Sequence, residues 1–187
     1  MTHYHPFHPD HEFLGRVVLN LQTALGSGMV HDIFARHGLG DVDPEAWYPV
    51  QLWFDAINEI ASSEAAMIDL VGLGMKSVQN VNISPEARAM PVSDYLQGAA
   101  KTYPNVNRGT DIGEARGEVV DEHHVRMILR MPHPDDFWYG AYYSLMKQLL
   151  PPGTPFKVYY DKEIPRRELG GKETILHIEW DEFEVSG

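Results

Sequence analysis

Near residue 115 the hydrophobic period changes from that of a helix to that of a strand, which limits the chain to folds that set a helical N-terminal portion against a C-terminal sheet. Before the change, Phe13, Leu14, Val17, Val18, Leu21 and Leu25 recur at the spacing of one helical face, predicting a helix from near His11 to Gly26-Ser27-Gly28. A short helix carrying Val30, Ile33 and Phe34 stops at Gly38. Asp43-Pro44 or Pro49 opens a third, with Leu52, Trp53, Phe54, Ile57 and Ile60 on its apolar face. A fourth follows Ser62-Ser63 with Met67, Ile68, Val71, Met75 and Val78 inward, although Gly72 and Gly74 weaken it as a helix. A fifth runs from Ser93 through Leu96 and Ala100 toward Tyr103.

After the change, residues 115–120 read as a strand and Asp121 to His124 as a turn; the next strand puts Val125, Met127, Leu129 and Met131 on one face. Asp135-Asp136 opens an aromatic helix from Phe137 to Leu150, closed by Pro151-Pro152-Gly153. Strands follow at Phe156 to Tyr160 and Thr174 to Trp180, separated by a polar loop. The expected architecture is α+β: helices, then a small antiparallel sheet of about four strands with a crossover helix. Residues 1–10, broken by Pro6 and Pro9, read as an irregular His- and Pro-rich tail, and residues 11–187 as a single domain.

Charge and composition narrow the functional classes. A formal charge of -12 repels a phosphate backbone, so nucleic acid is not an expected partner. With no cysteine there is no disulfide, thiolate metal site or cysteine nucleophile. No apolar run is long enough for a membrane span and no secretory signal is visible, so a cytoplasmic protein is expected. Gly72 to Ser77 lacks the spacing of a phosphate-binding loop, and its glycines read as close-packing positions. Ser144 lies inside an apolar helix without a nucleophile elbow.

The ten histidines raise the question of a metal. His3, His5, His8 and His11 would gather around an ion only if the tail folded back, and a solvated tail is the simpler reading. His123 and His124 are neighbours in a turn and point to opposite sides; His177 with Glu179 lies opposite the core face of Leu176, Ile178 and Trp180. No metal site is expected, although a His-dependent metalloenzyme remains an alternative. The aromatic and methionine inventory is more informative: Trp53, Leu96, Tyr103, Met127, Trp138, Tyr142 and Met146 come from elements that meet where sheet and helices join, and are candidates to line an apolar pocket. No catalytic residue emerges, so the chain does not read as an enzyme.

The element order is similar to that of the haem-nitric-oxide-binding (H-NOX) domains and their superfamily, which includes 4-vinyl reductase domains and TRAPP subunits. The resemblance rests on the helix pair ending at Gly38-Leu39, on Trp47-Tyr48, on Leu73-Gly74, and on Tyr103-Pro104 followed by a hairpin, a helix and a strand pair. Haem-binding members carry a ligand histidine about two turns before that Tyr-Pro, where Leu96 and Gln97 stand here, and no histidine lies between His37 and His123. Their Tyr-x-Ser-x-Arg motif is replaced by Val125-Arg126-Met127-Ile128-Leu129-Arg130. The resemblance therefore implies a haem-free sensory domain without a cofactor, enclosing a small hydrophobic ligand and signalling to a separate protein or through a homodimer. A structural or interaction subunit with a solid core is the other reading.

Overall fold

A computed structural model describes residues 3–25, 28–63 and 69–182. Its elements run β1 (Glu12–Leu14), α1 (Arg16–Leu25), α2 (Met29–Phe34), a π-type turn (Ala35–Leu39), β2 (Trp47–Pro49), α3 (Val50–Ser62), α4 (Leu70–Gln79), α5 (Pro85–Ala89) and α6 (Val92–Lys101). A 3-10 turn (Tyr103–Asn105), β3 (Asn107–Arg108), β4 (Glu114–Asp121), β5 (His124–Arg130), α7 (Asp135–Leu149), β6 (Phe156–Tyr160), a second 3-10 turn (Arg167–Leu169) and β7 (Thr174–Trp180) complete them. The architecture is α+β, with antiparallel sheets in the orders β2-β1-β3 and β4-β5-β7-β6.

The larger sheet has the expected strands. Val125 pairs with Ile178 and Met127 with Leu176, so the period-two residues of both strands share the buried face. The small sheet was not anticipated. Glu12–Leu14 forms its central strand where the periodicity predicts the start of a helix, and α1 begins only at Arg16. Pro49 closes β2 and precedes α3, whereas Asp43 uses Oδ1 to accept from the Glu45 amide in a turn. Ser84 caps the extra helix α5, and α6 starts after Pro91. Gly26-Ser27, Met67 and Ile68 lie outside the described residues.

Two apolar cores meet along α7. One collects α1, α2, α3 and α4 around Phe34 and Phe54; the other fills the space between the larger sheet, α6 and α7; Trp138 packs against both. The crossing of α4 and α7 explains the glycines. A Cβ on Gly74 would lie 1.9 Å from the Phe137 carbonyl oxygen, and one on Gly140 2.0 Å from that of Val71, so each helix approaches its partner through the other's glycine.

Segment 3–10 has no helix or strand, as its prolines dictate, but it is not a solvated tail. Tyr4 is buried, and its backbone N–H and C=O bond the Asn58 side-chain amide at 2.8 and 2.9 Å. Phe7 lies under the Arg130 guanidinium, 4.8 Å from its carbon. No helix of the described residues is long and apolar enough to cross a membrane.

Candidate functional site

The two cores leave a cavity of about 90 Å³ where they meet. Phe13, Val17, Val50 and Trp53 wall it from the helical side. Tyr103, Val106 and Asn107 close it at the first 3-10 turn, and His133, Phe137 and Trp138 come from the β5–α7 turn and the start of α7.

His133 is the polar group that defines this site. Pro132 and Pro134 fix the backbone on both sides of it, and Arg167 Nη2 holds its carbonyl oxygen at 3.0 Å. The imidazole lies among Trp53 at 5.0 Å, Phe54 at 5.2 Å, Trp138 at 5.6 Å and Tyr103 at 6.1 Å between ring centroids. Its Nδ1 is buried without a hydrogen-bond partner. Burial, then the neighbouring His11 and Arg167, push its pKa down to about 3, so the ring is neutral near pH 7. The Trp138 indole N–H is likewise buried and unpartnered. The cavity is lined mainly by apolar and aromatic side chains, and two polar atoms of its lining residues, His133 Nδ1 and the Trp138 indole nitrogen, are buried beside it without a hydrogen bond.

His11, placed in the tail by its neighbours in sequence, stands behind this wall. It is buried, and its Nε2 lies 3.0 Å from Asn107 Oδ1 while Asn107 Nδ2 donates to the Tyr103 carbonyl at 3.1 Å. Since an amide oxygen only accepts, His11 carries its proton on Nε2 and leaves Nδ1 bare. Burial holds this ring neutral too, by lowering its pKa. The Tyr103 hydroxyl donates to the Ile112 carbonyl at 3.0 Å, so that residue offers the cavity its ring alone.

Of the seven candidates from the sequence, Trp53, Tyr103 and Trp138 line the cavity. Leu96, Met127, Tyr142 and Met146 sit in the sheet-side core, where Met127 and Leu96 are fully enclosed. His133 was missed, although a histidine between two prolines ahead of an acidic helix start has a rigid position that the sequence displays. Among the described residues no group of three or more His, Asp or Glu side chains is arranged to hold a metal ion.

No protein-family model matches the sequence, and no curated protein is similar to it at a significant level. Solved structures do align. An oxygen-binding H-NOX domain related to soluble guanylate cyclases is 10% identical over 92% of this chain and 96% of its own, with a TM-score of 0.64. The Fe(II) unliganded H-NOX protein of K. algicida, in a single-residue variant, is 13% identical over 90% of this chain and 97% of its own, with a TM-score of 0.60. The chain has the H-NOX fold.

Two further structures that align at 10% identity, each with a TM-score of 0.63, concern haem redox potential through porphyrin distortion and the function of haem distortion in the H-NOX family. The expectation that no cofactor belongs to this chain is corrected by these neighbours. That expectation rested on Leu96 and Gln97 standing in α6 where a ligand histidine was sought, and it ignored the other walls of the interior, where His133 arrives from the β5–α7 turn.

Proposed function

We propose that this chain is a sensory domain that binds a small ligand, directly or through a haem, in the cavity around His133, and that it does not itself catalyse a reaction. The observation that carries this reading is the neutral, desolvated imidazole with a free Nδ1 in an aromatic cavity. A catalytic reading lacks support at this site: no ionised acid, base or activated nucleophile lines the cavity beside that ring.

Structural neighbours of this fold concern haem, and the residues around His133 bear on whether one fits here. A neutral imidazole is the common protein ligand of haem iron, and the aromatic walls suit a porphyrin face, so the residues fit in chemistry. His133 would hold the iron, and haem would supply a gas-binding metal that side chains lack. As packed, the cavity's 90 Å³ is below the roughly 300 Å³ at which drug-sized ligand pockets begin, so a porphyrin requires the aromatic packing to open. A compact ligand fits the existing space and lies against His133 and Trp138, reaching their buried nitrogens once either ring shifts.

In either case binding shifts the balance between two packings of the cores along α7, provided the occupant favours one of them. A separate protein or a second copy of the chain then receives the signal. Haemin titration followed by absorbance, with native mass spectrometry of freshly purified protein, tests the proposal. It predicts a saturable occupant or a stoichiometric Soret band, and affinity at least about tenfold weaker in His133→Ala. A bare mass, no haemin binding, and no difference between wild type and variant would instead make the chain an interaction subunit.

A further inference from the structure

A second histidine constellation lies outside the cavity, on the outer face of the larger sheet. His124 Nε2 is 2.8 Å from His177 Nδ1, and His177 Nε2 is 2.9 Å from Asp161 Oδ2. These side chains are largely screened from solvent, with 16%, 14% and 15% of their surface exposed for His124, His177 and Asp161. The protons can be placed. An ionised carboxylate only accepts, so His177 donates from Nε2 to Asp161, and the bare Nδ1 of the neutral ring accepts from His124 Nε2–H. The His177 hydrogen bond, helped by the Glu163 and Ile164 amides, holds the Asp161 carboxyl down to about 2, which keeps this anchor ionised.

The geometry suits a shared proton better than a metal. Nitrogens 2.8 Å apart with ring centroids at 5.0 Å set the two rings nearly end to end. A tetrahedral ion at about 2.0–2.1 Å from each nitrogen would hold them roughly 3.3 Å apart.

We propose that Asp161, His177 and His124 form a proton latch that ties β5 and β7 to the loop of residues 161–173. One added proton, taken from solvent onto His124 Nδ1, turns the link between the rings into a charge-assisted hydrogen bond and strengthens it. A second, on His177 Nδ1, sets N–H against N–H, and one ring must swing away. Charged groups of both signs face the pair. Glu179 Oε1 lies 4.0 Å from His124 Nε2, and Asp121 stands opposite His124 in register. Arg126, held by Glu118 at 2.8 Å, stands opposite His177, and Lys157 opposite Glu179. Tyr159 stacks on His177 with centroids 4.9 Å apart and donates its hydroxyl to Glu179.

Opening frees the loop at its start, because Asp161 Oδ1 also accepts from the Glu163 and Ile164 amides, both at 2.8 Å. The middle of the same loop carries Arg167 on the His133 carbonyl and Glu168 on the Asp135 amide.

Imidazole ¹⁵N NMR of the full chain between about pH 8 and 4.5, with amide exchange of residues 161–173, tests the latch. The expected result is a through-bond coupling between His124 Nε2 and His177 Nδ1 at high pH. Protonation of one ring then alters the signals of the other, and loop exchange speeds about tenfold once the bond between the rings is lost. In His124→Phe, His177 responds in a single step and the loop loses its acid response. Absence of the coupling in wild type, or two rings that titrate independently and unchanged by the variant, overturns the proposal without touching the cavity reading.

Discussion

The chain buries histidines in two regions and treats them oppositely. In the interior, His133 is surrounded by rings, holds a free nitrogen and is kept neutral by the absence of water. On the outer sheet face, His124 and His177 are also largely covered, yet each ring bonds to the next and the chain ends on a carboxylate. Burial alone does not assign a role. A desolvated imidazole without a partner is prepared for a ligand, whereas one linked to an acid is prepared for a proton.

Breaking the frame of the interior should have the largest effect. Gly140→Leu forces side-chain atoms into the Val71 carbonyl, and we expect a loss of about 3 kcal/mol or more, read as a fall in Tm of roughly 6–12 °C. The two histidine regions should next separate by their pH windows. The unfolded chain accepts a proton on His133 below its ordinary value of 6.5 while the folded chain resists it down to about 3. Stability therefore falls as pH drops through that interval, at up to about 1.4 kcal/mol per pH unit. Denaturant unfolding of His133→Phe at stepped pH should show a flatter curve; an unchanged slope would mean that the ring is hydrated.

In the outer region the Asp161 carboxyl adds a window of its own at lower pH. Asp161 is ionised in the fold down to about 2 against an ordinary 3.8, so its contribution is present above the higher value and lost as pH falls toward the lower. Asp161→Asn should flatten the unfolding curve between about pH 4 and 2, and, by removing the anchor of His177, should also weaken the acid response of residues 161–173. The smallest effect is expected at Arg116, whose contact with Glu173 is exposed; Arg116→Ala should cost less than about 0.5 kcal/mol in the same assay.

Much of the architecture was legible because long elements carry their own period. Val125, Met127 and Leu129 alternate inward for a whole strand, and Gly74, one of the two glycines that weakened the helical pattern of α4, is a close-packing position at Phe137. The small sheet was not legible, since Asn107–Arg108 and Glu12–Leu14 are too short to display a period and exist only through their partners. Of the residues around the cavity, Trp53, Trp138 and Tyr103 were already candidates on ring content, but His11 was judged by its tail neighbours and His133 was overlooked, because what buries both is tertiary. His124 was read as a solvated turn residue, since its link to His177 depends on the β5–β7 register, which pairs it with Glu179.

The most direct test of the account is the ¹⁵N signature of His133 itself, followed against pH and then against added ligand or haemin. We predict ring nitrogens that stay neutral to below about pH 4 and shift when the cavity is occupied. A ring that gains its proton near pH 6.5 and ignores every occupant would show that this imidazole faces water, and the cavity would lose its claim to be a binding site.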